Sequence, residues 1–244
     1  MAEIKKILIA NRGEIVQRAV RTIREMGKKS VAVYSAGDKN ASYLKHADEA
    51  VCIGGPKSKD SYLNIPAIIT AAEMTGCDAI FPGYGFLSEN QDFVEICRLH
   101  NIKFIGPSVE VMEKMADKSK AKEEMIRAGV PVVPGSKGSV HSVTEGKKVA
   151  LEIGYPIMAK AAAGGGGRGM RLIKEESEFD QLFMAASSEA LAAFGDGTMY
   201  LERFINNPRH IEVQVVGDSH GNAIHIGERD CSLQRRHQKV IEES

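Results

Sequence analysis

The chain has 244 residues, and its 32 Lys and Arg residues balance its 32 Asp and Glu residues. This balance removes any general electrostatic case for nucleic acid or an anionic membrane as the main partner, although a local basic patch stays possible. With 43% hydrophobic and 26% charged residues, the composition is that of a folded globular protein and excludes a disordered one. The length suits one large domain or two small ones.

Compartment and membrane association can also be predicted from the sequence. No apolar run approaches the length of about 18 residues that a membrane-spanning helix needs. The N-terminal run ILIA (7–10) is too short for a secretory signal, so we expect a strand there and a cytoplasmic protein. The cysteines, Cys52, Cys77, Cys97 and Cys231, form no CxxC pair and no zinc-binding spacing with histidine, which predicts free thiols.

The first half of the chain alternates predicted strands and helices. Strands are predicted at 4–10, 30–34, 49–53, 78–81 and 103–105, and helices at 14–26, 64–75, 89–100 and, as two short segments, within 108–128. This alternation indicates a parallel sheet with right-handed crossovers. On the first helix, the spacing of Ile15, Ala19, Ile23 and Met26 predicts the buried face.

A domain boundary is predicted near residue 130, where VPVVPG (130–135) interrupts the pattern. Helices at 143–153 and 176–193 and strands at 155–160, 170–174 and 199–202 follow. The alternation at 210–216 predicts a half-exposed strand, paired antiparallel with 222–228 across the turn at Gly217–Gly221. Because no further strand or helix follows, we expect the last domain to be incomplete.

The glycine-rich segment GGGGRG (164–169) carries the strongest chemical signal. It contains GxGxxG, but strands are predicted on both sides, whereas a dinucleotide-binding fingerprint needs a helix after it; a GK[ST] that would mark a Walker A loop is also missing. The remaining interpretations are a flexible surface turn and a hairpin tip whose backbone N–H groups turn toward an anion. Lys160 before the loop and Arg168 within it could then reach a phosphate.

Other polar segments allow two interpretations each. NRGE (11–14) follows a strand end, where ligands often bind, but it also suits a helix start capped by Asn11, which we prefer. PGYGFLSEN (82–90) either lines a cleft or caps the next helix through Ser88. ERDCSLQRRHQK (228–239) is either a solvated charged face or a pocket for an anion. Taken singly, His210 and Glu202 are uninformative.

Five segments together resemble one family. In chain order, ILIANRGEI (7–15), FPGYGFLSEN (81–90), GGGGRGM (164–170), NPRH (207–210) and ERDCSLQRRHQK (228–239) resemble the biotin carboxylase family of ATP-grasp enzymes. The resemblance implies an α/β chain with a Rossmann-like parallel-sheet domain at 1–114 and a helical linker at 115–130. An incomplete α+β ATP-grasp domain would follow, with a glycine-rich lid subdomain at 131–203 and the start of the catalytic subdomain at 204–244.

The same resemblance implies a reaction. ATP would phosphorylate bicarbonate to carboxyphosphate, which, directly or through the CO₂ it releases, carboxylates biotin on a carrier. The implied cofactors and substrates are ATP, Mg²⁺, bicarbonate and carrier-bound biotin. The implied partners are a biotin carboxyl carrier protein, carboxyltransferase subunits and a second copy of the full-length protein. The default complex is an acetyl-CoA carboxylase of fatty-acid synthesis, with pyruvate and propionyl-CoA carboxylases as alternatives.

Site residues also follow from the resemblance. Lys118 and Lys160 would contact the ATP phosphates, Gly166 and Gly167 would form the lid tip, and Lys239 would bind bicarbonate. Glu202 and backbone groups of Arg203 and Ile205 would read adenine. The ribose and phosphates would face His210, Gln234 and His237.

Some functional residues of the family have no counterpart in the matched segments, and this predicts limits on activity. The family's Mg²⁺-binding carboxylates and its catalytic and biotin-contacting arginines would lie beyond the segments matched here. We therefore expect this chain to be a fragment that is inactive alone. Three alternatives stay open: another ATP-grasp ligase, a module that only holds nucleotide or a partner, and, least in keeping with the hairpin, a nicotinamide-dependent dehydrogenase.

Overall fold

The computed structural model describes residues 3–116, 118–162, 169–218, 220–235 and 238–244, with the backbone alone for 116 and 118–120. The chain divides into two compact units, Met1–Val130 (the first unit) and Pro131–Ser244 (the second unit). The predicted four-part division is finer than this and stays a prediction.

The first unit is built around a five-stranded parallel sheet. Its strands are β1 (Lys6–Ile9), β2 (Lys29–Tyr34), β3 (Glu49–Cys52), β4 (Ala79–Phe81) and β5 (Lys103–Phe104). Its helices are α1 (Glu14–Glu25), α2 (Ile65–Met74), α3 (Gln91–Leu99), α4 (Val109–Ala116) and α5 (Lys118–Arg127). The strand order β3-β2-β1-β4-β5 with parallel pairing confirms the predicted α/β class. The chain reverses its direction across the sheet between β1 and β4, so the loops after these strands border one crevice.

Both faces of this sheet are buried. Leu8 and Ala10 pack into one apolar cluster with α2 and α3 residues, whereas Ile7 and Ile9 pack into a second cluster with α1 residues. Because side chains alternate along a strand, β1 supplies residues to both cores. Because both faces are buried, its sequence is a continuous apolar run.

The buried face of α1 differs from the prediction. Val16, Ala19, Val20 and Ile23 are buried, whereas Ile15 is only half-buried. Met26 is 60% exposed because the helix ends at Glu25, one residue earlier. The predicted spacing therefore selected a face rotated from the true one.

The N-termini of α2 and α3 are capped by asparagines. The side chain of Asn64 accepts a hydrogen bond from the backbone N–H of Ala67, and that of Asn90 accepts one from Phe93. A cap of this kind satisfies a donor that the helix itself leaves unpaired. Of the two interpretations of PGYGFLSEN (82–90), the one in which Ser88 caps the next helix is therefore wrong, since Asn90 takes that role.

The second unit contains a three-stranded antiparallel sheet of order β7-β6-β8. It comprises β6 (Ile157–Ala161), β7 (Met170–Ile173) and β8 (Met199–Arg203), with helices α6 (Val143–Ile153) and α7 (Phe179–Phe194). Ile157, Ala159, Ile173 and Leu201 point to one face and form a core with residues of both helices. The opposite face, here called the open face, carries the alternate side chains and is only half-buried.

Two antiparallel hairpins complete the second unit: β9 (Ile211–Gly217) with β10 (Ala223–Asp230), and β11 (Gln234–Arg235) with β12 (Gln238–Lys239). The predicted pairing of 210–216 with 222–228 is confirmed. The predicted half-burial is wrong, because Val213 and Val215 are 54% and 60% exposed. None of the described residues covers that face of β9.

All four cysteines are free thiols, of which Cys52 is exposed and the other three are buried. Among the described residues, no helix combines the length and the apolar character needed to cross a bilayer.

Candidate functional site

An ion pair lies on the open face of the β7-β6-β8 sheet. Nζ of Lys160 on β6 lies 2.5 Å from Oε2 of Glu202 on β8, with the two side chains 39% and 23% exposed. In the strand register Lys160 faces Tyr200 and Met158 faces Glu202, so the charged residues are diagonal neighbours on one face. Two residues predicted to bind ATP are thus brought together.

The surroundings of this ion pair are apolar. Met158, Met170, Leu172 and Tyr200 are half-buried, and the strand register places them on the open face with the pair. A flat apolar surface with one cation and one carboxylate suits a planar polar ring: the ring can lie on the surface while the charged groups contact its edge and its substituents.

The chain leaves this sheet at the end of β8. Arg203 donates its backbone N–H to the carbonyl of Pro134 at 2.8 Å, and Phe204 donates its own to Pro156 at 2.9 Å. Ile205 follows and is 48% exposed. No described residue accepts a hydrogen bond from its backbone N–H. A donor without a partner among the described residues, two residues past the end of β8, can serve a ligand.

The predicted bicarbonate residue, Lys239, lies in a compact network of charges. Its Nζ is 3.0 Å from Oε1 of Glu212 and 2.8 Å from Oε2 of Glu242, and both carboxylates also bond Arg229. The hydrogen bonds that Lys239 donates to the carboxylates of Glu242 and Glu212 hold the pKa of Lys239 well above its ordinary value. Hydrogen bonds from Arg229 and Lys239 lower the pKa of Glu212 to about 2. Lys239 is therefore cationic over the whole physiological pH range.

His210 and Gln234, both predicted to face the nucleotide, contact each other beside this network. Nε2 of Gln234 lies 2.8 Å from Nδ1 of His210. The backbone of His210 is fixed by Ser232, whose Oγ accepts its N–H, and by Cys231, which donates to its carbonyl at 2.7 Å. Because Gln234 pairs with Lys239 between β11 and β12, the short hairpin places both predicted residues together.

The described residues contain one group of three potential metal ligands: Glu212, Cys231 and Glu242. This group does not fit Mg²⁺, which requires several oxygen ligands in octahedral geometry. One ligand here is a thiol, and the two carboxylates are already neutralised by Arg229 and Lys239. We therefore assign no Mg²⁺-dependent step to these residues.

The glycine-rich segment is framed by strands on both sides. β6 and β7 pair antiparallel up to Lys160 and Met170, and the backbone N–H of Ala161 donates to the carbonyl of Gly169. This confirms the predicted hairpin and is incompatible with a strand–loop–helix fingerprint. Gly166, Gly167 and Arg168 of the loop lie outside the described residues, as does His237. Lys118 is the first residue of α5, and only its backbone is described.

A second polar cleft, of about 910 Å³, lies in the first unit beside the loops that follow β1 and β4. Asn11 is 3% exposed, and its Nδ2 donates to the carbonyls of Pro82 and Tyr84, both at 2.8 Å. Its Oδ1 accepts the backbone N–H of Arg12. The preferred prediction that Asn11 caps α1 is therefore wrong: Gly13 occupies the cap position without a side-chain bond, and Asn11 instead joins two loops.

Three residues of the charged network were not predicted from the sequence: Glu212, Arg229 and Glu242. A signal for one contact was present, since the β9–β10 pairing places Arg229 opposite Glu212. Finding it requires the exact register of the hairpin, which a bulge between His225 and Glu228 shifts.

The fold and its similarity to known proteins define the chain as an ATP-grasp protein. Residues 3–112 match the family profile "Biotin carboxylase, N-terminal domain", and residues 117–244 match "Carbamoyl-phosphate synthase L chain, ATP binding domain". The chain belongs to the biotin carboxylase family, as its motifs predicted.

Named relatives agree with this assignment. The chain is 59% identical to a biotin carboxylase of Nostoc, covering 98% of this chain and 54% of the relative. It is 51% identical to the 2-oxoglutarate carboxylase small subunit of Hydrogenobacter thermophilus, covering 98% and 50%. A crystal structure of a Campylobacter jejuni biotin carboxylase–βγ-ATP complex has 68% identity and a TM-score of 0.84, with coverage of 98% and 54%. The chain thus spans about half the length of these relatives.

Proposed function

We propose that this chain carries the ATP- and bicarbonate-binding groups of a biotin carboxylase. The reaction is the ATP-dependent carboxylation of biotin. A bicarbonate oxygen attacks the γ-phosphorus of ATP, the bond from phosphorus to the ADP oxygen breaks, and carboxyphosphate forms. The carboxyl carbon of carboxyphosphate, or the carbon of the CO₂ released from it, then bonds to N1′ of carrier-bound biotin, N1′ loses its proton, and phosphate leaves.

The observation that carries this proposal is the Lys160–Glu202 ion pair on the apolar open face. Adenine lies on this face, Glu202 accepts from its amino group, and backbone groups of Arg203 and Ile205 complete the contact with its edge. Lys160 reaches a phosphate, together with Lys118. The lid tip at Gly166 and Gly167 covers the phosphates and excludes water from the labile intermediate.

Lys239 supplies the charge for the second substrate. Two anions, bicarbonate and the triphosphate, must approach each other, and a fixed cation offsets the charge that accumulates. Because its carboxylate neighbours keep Lys239 protonated, this cation is present at every working pH. His210, Gln234 and His237 bind the ribose and phosphates beside it.

The wider setting is part of the proposal. The complex is acetyl-CoA carboxylase, acting in fatty-acid synthesis in the cytoplasm with a biotin carboxyl carrier protein and carboxyltransferase subunits, and the full-length protein is a homodimer. One relative is named as a 2-oxoglutarate carboxylase subunit, so the substrate of the complex has alternatives, including pyruvate and propionyl-CoA. Because the described ligand group does not fit Mg²⁺, we also propose that this chain binds nucleotide without turnover.

The test is equilibrium binding of ATP to this chain and to two charge variants. Lys160→Met is expected to weaken ATP binding about tenfold or more, since it removes a charge-assisted contact. Lys147→Met is the matched control, because Lys147 forms a similar ion pair with Asp180 between α6 and α7, on the other side of the sheet. Equal affinity of the two variants, or no binding of ATP to the wild type, would contradict the proposal.

A turnover assay tests the second part. With ATP, Mg²⁺, bicarbonate and free biotin, this chain is expected to release no ADP above background. Turnover close to that of a biotin carboxylase of twice its length would contradict that expectation.

A further inference from the structure

The side chain of Arg203 runs back to the end of α6. Its Nη2 donates a hydrogen bond of 2.7 Å to the carbonyl of Ile153, the last residue of that helix. A cation at this position also meets the negative end of the helix dipole. Gly154 follows at a φ of 81°, and a Cβ there would lie 2.6 Å from Nη2 of Arg203. The backbone and the guanidinium are thus closely fitted to each other.

Two backbone hydrogen bonds hold the same segment. The N–H of Arg203 donates to Pro134, and that of Phe204 donates to Pro156. Together with the side-chain bond to Ile153, three carbonyls fix the chain as it leaves β8: Pro134 from the segment before α6, Ile153 from the end of α6, and Pro156 from the connection between α6 and β6. Only the side-chain bond can be removed by a substitution that leaves the backbone bonds in place.

We propose that the Arg203 side chain is a positioning residue that sets the base selectivity of the nucleotide site. By anchoring β8 to α6, it holds its own carbonyl and the N–H of Ile205 in one line along the edge of the open face. This inference rests on the proposed function, since it assigns to that site a preference for one purine over another.

The chemistry of the base edge makes the inference testable. Adenine presents a donor, its 6-amino group, and an acceptor, N1, which match a carbonyl followed by an N–H. Hypoxanthine presents an acceptor and a donor in the reverse order, so the same two backbone groups oppose it. If the two backbone groups are correctly positioned, the site therefore binds ATP more tightly than ITP. Contacts with the phosphates do not distinguish the two nucleotides.

The experiment measures the affinities of ATP and ITP for this chain in the wild type, Arg203→Gln and Arg203→Lys. We expect the ATP/ITP affinity ratio to fall about tenfold in Arg203→Gln, which corresponds to one misaligned hydrogen bond. The ratio should return to near the wild-type value in Arg203→Lys, because an ammonium group can also donate to the Ile153 carbonyl. ITP binding itself should change little.

The outcomes separate this inference from the proposed function. A wild type that does not prefer ATP over ITP would overturn both. A wild type that prefers ATP, with a ratio unchanged in Arg203→Gln or with equal losses for both nucleotides, would overturn only the role of Arg203. Hydrogen exchange of the Phe204 amide without nucleotide adds a second readout. It should be faster in Arg203→Gln and restored in Arg203→Lys, and an unchanged rate would show that the side chain does not hold the segment.

Discussion

Asn11→Ala should destabilise the first unit far more than an ordinary asparagine substitution. Asn11 is 3% exposed and joins the loops after β1 and β4. Its side chain donates to the carbonyls of Pro82 and Tyr84 and accepts from the N–H of Arg12. The substitution removes all three hydrogen bonds. It leaves the backbone groups that took part in them without a side-chain partner.

The expected cost follows from the number of bonds lost. A hydrogen bond contributes roughly 0.5–1.5 kcal/mol net, and a buried group left unpaired adds to the loss. Three bonds at a buried position give a loss of about 3 kcal/mol in the free energy of unfolding. Asn64→Ala is the matched control, because Asn64 makes a single cap bond, to Ala67, and should cost about 1 kcal/mol.

Native-state hydrogen exchange of the buried amides of β1 is the suitable assay, because it reports the opening of the first unit without assuming that both units unfold together. The two variants should differ by about 2 kcal/mol in the opening free energy. A loss for Asn11→Ala no greater than that for Asn64→Ala would refute the reasoning.

Three further predictions concern packing, acid stability and thiol reactivity. Gly146→Ala should destabilise the second unit by about 1–3 kcal/mol in thermal or urea unfolding, despite the better helix propensity of alanine. The reason is that a Cβ at position 146 would lie 2.7 Å from Cζ of Phe179. A neutral effect would show that the ring can move aside. The pKa of Glu212 is lowered from 4.5 to about 2, so its contribution to stability is present above pH 4.5 and lost as the pH falls toward 2; Glu212→Gln should flatten the acid unfolding curve in that window, and an identical slope would contradict the ion-pair network. Cys52 is the exposed thiol and should react first with a disulfide reagent. Burial shields Cys97 from the reagent and raises its pKa to about 12. Mass spectrometry of the labelled peptides measures the order, and labelling of Cys97 before Cys52 would contradict the prediction.

The sequence was sufficient to predict elements whose pattern is local. β1 is a continuous apolar run because two layers of helices bury it. The glycine-rich segment could be predicted as a hairpin tip because strands lie on both sides of it. On α1, more than one face has apolar residues at helical spacing: the prediction took Ile15 in place of Val16 and Val20, and it included Met26, which lies one residue beyond the helix.

Contacts that depend on register or on distant segments could not be predicted. Glu212, one carboxylate partner of Lys239, lies 27 residues away in sequence and meets it only through the folding of two hairpins. Asn11 contacts residues more than 70 positions further along the chain, so its local sequence could not reveal these contacts and led us to prefer a cap over a ligand-binding role. The alternation in β9 predicted a buried side, but burial depends on what covers the strand.

Whether adenine lies on the open face can be tested by an amide chemical-shift titration of this chain with ATP. We expect the largest shifts on Lys160, Tyr200, Glu202 and Ile205, along the open face and the end of β8. Shifts centred on the loops after β1 and β4, or shifts scattered over the surface without saturation, would contradict this expectation.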